Sequence, residues 1–412
     1  MNKRVVITGM GAVTPLGNSV DAFWQAMLRS ESGSDYITHF DTSEHTTRFG
    51  CEVKNFSSEG IIEPRETRRM DMFAQYGLVA AHEAILNSGL NFETENQDRI
   101  GVVVGSGIGG IQSFEKEHEK LINGGPRRVS PFFIPQMIID IVSGLISIKY
   151  GLKGPNYGIV SACATASHAI GDAFKLIRRG EVDVMITGGS EAAICPMSVA
   201  GFNSMKALST RNDEPKTASR PFDRTRDGFV MGEGAGILVL EELEHARKRG
   251  AEIFAEVRGI GFTADAYHIT APAPGGEGAI RAMKQCLKDS NLNPEEVDYL
   301  NAHGTSTPYN DKSETEAIKA VFGDQAAELN ISSTKSMTGH LLGAAGGVEL
   351  IAAALAIRNN VIPPTINYQE PDPECDLNYT PNQPVERPVK VAISNTFGFG
   401  GHNAVICVSE FK

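Results

Sequence analysis

GIVSACATASHAIGDAFKLI, residues 158–177, is the stretch from which the fold can be read. Gly158-Ile159-Val160 reads as a strand running inward. Ser161, Ala162, Ala164 and Thr165 keep the surroundings of Cys163 small. From Ala164 to Ile177 the chain reads as a helix rich in Ala and Gly and nearly uncharged around most of its circumference. A helix apolar on all sides is buried, and small residues let sheets pack on both of its faces. The pattern recurs at 329–357, where Leu329 to Ser333 reads as a strand, His340 follows, and Leu342 to Ile357 is a second helix of the same kind. Two strand–turn–helix units with buried helices predict a layered α/β protein.

Working outward, Arg4 to Gly9, Arg99 to Gly105, Val182 to Thr187, Gly236 to Leu240, Asp298 to Asn301 and Val389 to Ser394 read as buried strands. Helical patterns alternate with them over 69–89, 135–150, 163–179, 277–290, 311–322 and 341–358. The tail 389–410 reads as two strands joined by Phe397 to Gly401, and the Pro-rich segment 361–388 as a surface wrap. A duplication is expected, with halves at 1–250 (Cys163) and 251–412 (His303, His340).

The 412 residues exceed one compact domain, with 41% hydrophobic and 21% charged residues. The net charge of −12 argues against bulk nucleic-acid binding. After Asn2-Lys3-Arg4 the apolar run is too short for a signal peptide, and no stretch reads as a membrane span. A cytoplasmic location is expected. The six cysteines form no Cys-x-x-Cys pair, so neither zinc nor dithiol chemistry is expected, and no metal site is predicted.

Cys163 at a strand–turn–helix elbow is placed for nucleophilic chemistry, because a helix N-terminus lowers a thiol pKa and offers N–H groups to an oxyanion. Alone it also reads as a buried structural cysteine. His303, in Asn301-Ala302-His303-Gly304-Thr305, follows a strand, and His340 opens a buried helix. Each alone also reads as a structural histidine. Together, at strand ends of an α/β protein, the three favour thiol catalysis. Gly105-Ser106-Gly107-Ile108-Gly109-Gly110 matches a dinucleotide fingerprint, but Pro126-Arg127-Arg128-Val129-Ser130 stands where an acid ending a second strand belongs. The glycines read instead as backbone approaching a pocket. Arg65, Arg68 and Arg69, Arg127 and Arg128, and Lys206 read equally as solvated charge or as a surface for an acidic partner.

Val6 to Gly11, Ala162-Cys163-Ala164, Arg220 to Asp223, Asp227 to Gly234, Asn301 to Thr305, Lys335 to His340 and Asn395 to Asn403 occur in one order. In them the chain resembles the β-ketoacyl-acyl carrier protein synthases, in particular those of type II bacterial fatty acid elongation. The resemblance runs from Arg4 to the C-terminus. It implies a thiolase-like fold of five αβαβα layers and a homodimer. The implied reaction loads an acyl chain on Cys163, decarboxylates malonyl-acyl carrier protein, and extends the chain by two carbons. The implied partner is acyl carrier protein, carrying acyl or malonyl groups on phosphopantetheine. No cofactor is required, although some relatives hold a structural monovalent cation. The implied oxyanion donors are the N–H groups of Cys163 and Phe399. His303 and His340 would bind the malonyl thioester oxygen as neutral imidazoles, and Lys335 and Glu349 would support the site. Thr305 and Thr307 match pantetheine contacts, and Thr270 is a further substrate contact. Ile108, Ala162 and Phe202 would line the acyl tunnel, with Phe133 entering from the other subunit. Phe399, on a glycine-rich loop, would gate it. The implied carrier-docking residues are the six basic ones.

Ser161 stands where many relatives have Thr, and Thr165-Ala166-Ser167 where they have Gly or Ser-Gly. The competing readings are a synthase I-like or polyketide condensing enzyme, a thiolase, a chain-length partner subunit lacking a nucleophile, and a nicotinamide enzyme. A thiolase would carry a second cysteine as base.

Overall fold

The computed structural model describes residues 2–412. Ten strands form its main sheet: β1 (Val5–Val13), β2 (Ile100–Gly105), β3 (Asn156–Tyr157), β4 (Val184–Glu191), β5 (Gly234–Glu242), β6 (Ala255–Ala264), β7 (Tyr299–Asn301), β8 (Asn330–Ser332), β9 (Val391–Gly398) and β10 (His402–Ser409). Their order in space is 8-7-9-10-6-1-5-4-2-3. Read from each outer edge, the first five strands run 3-2-4-5-1 and the second five 8-7-9-10-6, so one topology is used twice. In each half the outer three strands are parallel and the next two pairings antiparallel. The halves meet where β1 pairs β6, Val5 opposite Val257 and Ile7 opposite Ala255.

Helices complete the layers. α4 (Thr165–Arg178) and α7 (Ala345–Asn359) lie between the two five-stranded units. α1 (Met72–Ser88) covers the outer face of the first, and α5 (Glu277–Ser290) and α6 (Pro308–Phe322) that of the second. The result is αβαβα. Close packing depends on glycines repeated in the two halves. A Cβ at Gly11 of β1 would lie 1.9 Å from Ala80 O of α1, and a Cβ at Gly261 of β6 1.9 Å from Ala282 O of α5.

Several boundaries differ from the sequence reading. The strand before Cys163 is Asn156–Tyr157, and 158–160 is irregular. Pro155 supplies its carbonyl to Val102, which fixes the pairing earlier in the chain. The helix expected over 135–150 is split into Phe133–Met137 and α3 (Ile141–Tyr150). The final hairpin turns at 399–401, because Phe397 and Gly398 still pair with Asn403 and His402. β6 and α2 (Ile111–Gly124) were not anticipated. Residues Leu342–Asn359 are long and apolar enough to cross a membrane, contrary to the sequence reading, but this stretch is almost wholly buried inside the fold.

Candidate active site

Strand ends converge on a cavity of about 520 Å³ between the halves, lined by Cys163, His303, His340, Ile108, Phe202 and Phe399 among others. Cys163 comes from the first half, and both histidines and Phe399 from the second. The elbow holds Cys163 through strain and side-chain bonds. Ala162 takes φ 51°, a costly left-handed conformation for a residue with a Cβ. Thr165 Oγ1 accepts from the Ser161 N–H (2.9 Å) and donates to the Ala162 carbonyl (2.7 Å), closing the turn.

The helix proper begins at Thr165, after a 3₁₀ turn over Ala162–Ala164. The thiol therefore sits in the 3₁₀ turn that leads into the α-helix, where the sequence reading expects a lowered pKa. Burial pushes it up to about 11. The Lys335 ammonium and the N–H groups of Phe399 and Cys163 pull it down, and Glu191 pushes it up.

The His303 and His340 rings lie 5.4 Å apart and nearly perpendicular. Burial and the Lys335 ammonium hold both well below the ordinary imidazole pKa, so both are neutral. The Leu342 N–H donates to His340 Nδ1 at 3.3 Å, which assigns the ring proton to Nε2. His340 is held by main-chain bonds to a neighbouring strand-like segment, its N–H to Val230 O at 2.7 Å and its O to Gly232 N–H at 2.9 Å. Phe397 packs edge-on against His303, centroids 5.7 Å apart. Lys335 forms a fully buried ion pair with Glu349. Glu349 Oε2, Asn301 Oδ1 and Ser394 Oγ are buried oxygens without a hydrogen-bond partner among the described residues. Asn301 and Ser394 sit opposite each other in the β7–β9 pairing.

Thr305, Thr307 and Thr270 line the cavity, with the two threonine hydroxyls of 305 and 307 at 2.8 Å. Ile108, Phe202 and Leu342 border its apolar end. Phe133 does not line this cavity within its own chain. Arg65, Arg68, Arg69, Arg127 and Arg128 are exposed. The Arg69 guanidinium stacks on Phe132 at 4.7 Å and Arg68 O accepts from Gln136 Nε2 at 3.2 Å, which joins the 65–69 cluster to the 127–137 segment. Lys206 stands at the mouth of the cavity. The 105–110 glycines form the turn that brings Gly107 and Ile108 to the cavity wall, the role the sequence reading gave them.

Two acidic residues escaped the sequence reading. Glu314 accepts from the His303 and Gly304 N–H groups, both at 2.8 Å, and from Asn395 Nδ2 at 3.1 Å. Burial raises its pKa to about 7. Its signal was a carboxylate eleven positions after His303 on a helix that packs back on the histidine loop. Glu191, at the end of β4, left no comparable signal, because its partners, three main-chain N–H groups and the Ser106 hydroxyl, are distant in sequence.

Two family models match the chain: "Beta-ketoacyl synthase, N-terminal domain" over residues 2–246 and "Beta-ketoacyl synthase, C-terminal domain" over 254–369. The chain is 54% identical over 411 residues to a 3-oxoacyl-[acyl-carrier-protein] synthase 2 of Staphylococcus aureus, covering 100% of this chain and 99% of the relative. It is 53% identical over 410 residues to the protein of that name from a Synechocystis species, with the same coverage. Among solved structures it is similar to a ketosynthase in complex with its type II polyketide acyl-carrier protein (TM-score 0.93, 35% identity). It is also similar to a β-ketoacyl synthase from Burkholderia phymatum (TM-score 0.92, 36% identity). Both matches cover 100% of each chain.

Proposed function

The chain belongs to the β-ketoacyl synthase family, and from that membership we propose how its residues divide the work of condensation. It is a condensing acyltransferase of fatty acid elongation, a 3-oxoacyl-[acyl-carrier-protein] synthase in activity. The product is a 3-oxoacyl chain two carbons longer, with CO2 released.

In the first step the Cys163 sulfur attacks the carbonyl carbon of an acyl thioester. The thiol proton passes to the leaving pantetheine sulfur, and the oxyanion is met by the N–H groups of Cys163 and Phe399. In the second step the malonyl carboxylate leaves as CO2, and its electron pair becomes the enolate of the remaining thioester. His303 and His340 donate to that enolate oxygen. The enolate carbon then attacks the Cys163 thioester, the carbon–sulfur bond breaks, and the thiolate takes up one proton from solvent. The observation that carries this reading is the pair of neutral imidazoles facing the cavity that holds the thiol. A second cysteine of thiolase type is not among the residues lining that cavity.

The partner is acyl carrier protein, docked on Arg65, Arg68, Arg69, Arg127, Arg128 and Lys206. Thr305, Thr307 and Thr270 take the pantetheine arm, and Ile108 and Phe202 the acyl chain. The protein works as a homodimer in the cytoplasm, with Phe133 entering the partner's tunnel. Support comes from the short edge strand β3, flanked by exposed Ile134 (55%), Ile148 (80%) and Val160 (56%). Catalysis needs no cofactor. The unpartnered oxygens of Glu349, Asn301 and Ser394 suit a structural monovalent cation, which would add a fixed positive charge beside Lys335. The halves 1–250 and 251–412 act as one unit, each supplying part of the site.

Incubating the purified protein with malonyl-acyl carrier protein and a panel of acyl-acyl carrier proteins, with products read by mass, tests the reading. Chains lengthened by two carbons are expected; acyl transfer without lengthening overturns it.

A further inference from the structure

Glu191 is fully buried and does not line the cavity. Its carboxylate receives four hydrogen bonds. Oε1 accepts from Ser106 Oγ (2.7 Å) and the Ile108 N–H (3.1 Å). Oε2 accepts from the Gly107 N–H (2.7 Å) and the Gly343 N–H (2.9 Å). Three of these donors belong to the turn after β2 in the first half, and the fourth to the turn before α7 in the second. Gly107, Ile108 and Leu342 line the cavity beside Cys163.

We propose that Glu191 is a positioning residue that pins the Ile108 wall to the Leu342–Gly343 turn and so fixes the apolar end of the acyl cavity. All four partners are donors, so each carboxylate oxygen is fully used in the ionised form, whereas a protonated carboxyl would face two donors with a donor of its own. Burial raises the Glu191 pKa above the ordinary carboxylate value, and the four donors oppose that rise. A glutamine here must turn its NH2 toward one pair of donors. The Oε1 side is the better choice, because the Ser106 hydroxyl can rotate and accept. The Ile108 N–H then loses its acceptor. The damage therefore falls on the wall that the far end of a long acyl chain reaches.

This inference rests on the condensing activity for one readout and not for the other. In Glu191→Gln, kcat/KM for long acyl chains on the carrier should fall about tenfold relative to short chains, the size of one lost bond to a buried charge. Ser106→Ala removes one donor to Glu191 and the acceptor of the Gly109 N–H, spares the charge, and should shift the same ratio about threefold. Iodoacetamide alkylation of Cys163 against pH needs no carrier. The Glu191→Gln midpoint should move down, since the charge that raises the thiol pKa is gone, and Ser106→Ala should leave it in place. An unchanged long-to-short ratio in both variants overturns the proposal, as does an unmoved alkylation midpoint in Glu191→Gln. Should Glu191→Gln fail to fold, the Ser106→Ala ratio decides alone. A wild-type protein that transfers no acyl chain would defeat the condensing reading, while the alkylation profile would still judge Glu191.

Discussion

The turns Ala162-Cys163-Ala164 and Leu342-Gly343-Ala344 occupy corresponding places in the two halves. Each opens with a non-glycine residue in the left-handed region, φ 51° at Ala162 and 48° at Leu342. Each continues as a 3₁₀ turn and then a long buried helix. Their contents differ. In the first turn a thiol faces the cavity. In the second, a Cβ at 343 would lie 2.2 Å from Gly107 N and 2.7 Å from Glu191 Oε2, so glycine is required and the N–H serves as a donor to Glu191. One elbow geometry thus holds the proposed nucleophile in one half and a donor to the proposed Glu191 clamp in the other. A duplicated fold yields one asymmetric site.

The sharpest way to break the comparison is to move the thiol. Cys163→Ala should abolish condensation, a loss on the order of 10⁵ or more. Adding Gly343→Cys should not restore it, because the new Cβ collides with main chain. Cys163, 8% exposed, is the most accessible of the six buried cysteines, so iodoacetamide should label it first and inactivate in proportion. Elongation by Cys163→Ala would refute the assignment.

The second half supplies the histidines, so its loss should touch a different step. His303→Ala and His340→Ala should each slow malonyl decarboxylation by about 10² to 10³, the cost of one oxyanion donor. Acyl loading of Cys163, followed by mass shift with acyl-acyl carrier protein alone, should suffer less. Both imidazole pKa values are depressed, so decarboxylation should keep its rate as pH falls through about 6.5, where an ordinary imidazole protonates, and be lost only well below. Loss of rate centred near the ordinary value would show that the rings are not held neutral.

The third element is the turn that faces the first elbow. A Cβ at Gly398 would lie 3.2 Å from Cys163 N, and Gly400 and Gly401 take φ 86° and 73°. Gly400→Val forces a branched residue into the left-handed region at ~1–2 kcal/mol. It should slow acyl transfer about tenfold with little change in the melting profile. We expect Phe399 to swing aside on acylation; structures of resting and acylated protein with one shared 397–401 position would remove the gate.

How much of this was legible follows from where each signal lies. The buried helices, Cys163 and both histidines stand in short, local patterns, so α/β layering could be read from the chain, and the thiol and imidazoles that meet at the cavity could be picked out as candidates. The two-residue β3 has no periodicity to read, and its pairing is fixed by its neighbours. The helix over 135–150 is split at Ile138–Asp140, where Ile138 takes an extended conformation. Glycines 9 and 11, and 259 and 261, mark the duplication, but only their contacts with α1 and α5 give them meaning. Glu191 and Glu314 bind mostly main-chain groups, which no side-chain motif advertises. The elbow position suggested a lowered thiol pKa, whereas the burial that pushes it up is set by the packing around Cys163, which no local pattern advertises.

The smallest expected effect tests the exposed face of the first half, which the second half does not duplicate in the features described. Arg68 and Arg127 are exposed and lie on segments joined by the Arg69–Phe132 stack. The chain as a whole carries −12, so a local basic patch is what an acidic carrier would find. Exposed contacts are worth at most ~1 kcal/mol each. Arg68→Glu or Arg127→Glu should therefore raise the KM for carrier-bound substrate roughly fivefold. The increase should shrink as salt rises, since exposed charges are screened over about 10 Å at 0.1 M. Because neither residue lines the cavity, turnover of a small pantetheine thioester should hardly change. Equal effects on both substrates would mean that the arginines shape the fold and not the encounter. No effect on either would mean that they are solvated charge, with the carrier docking elsewhere on the rim, where Lys206 remains the basic residue to reverse next.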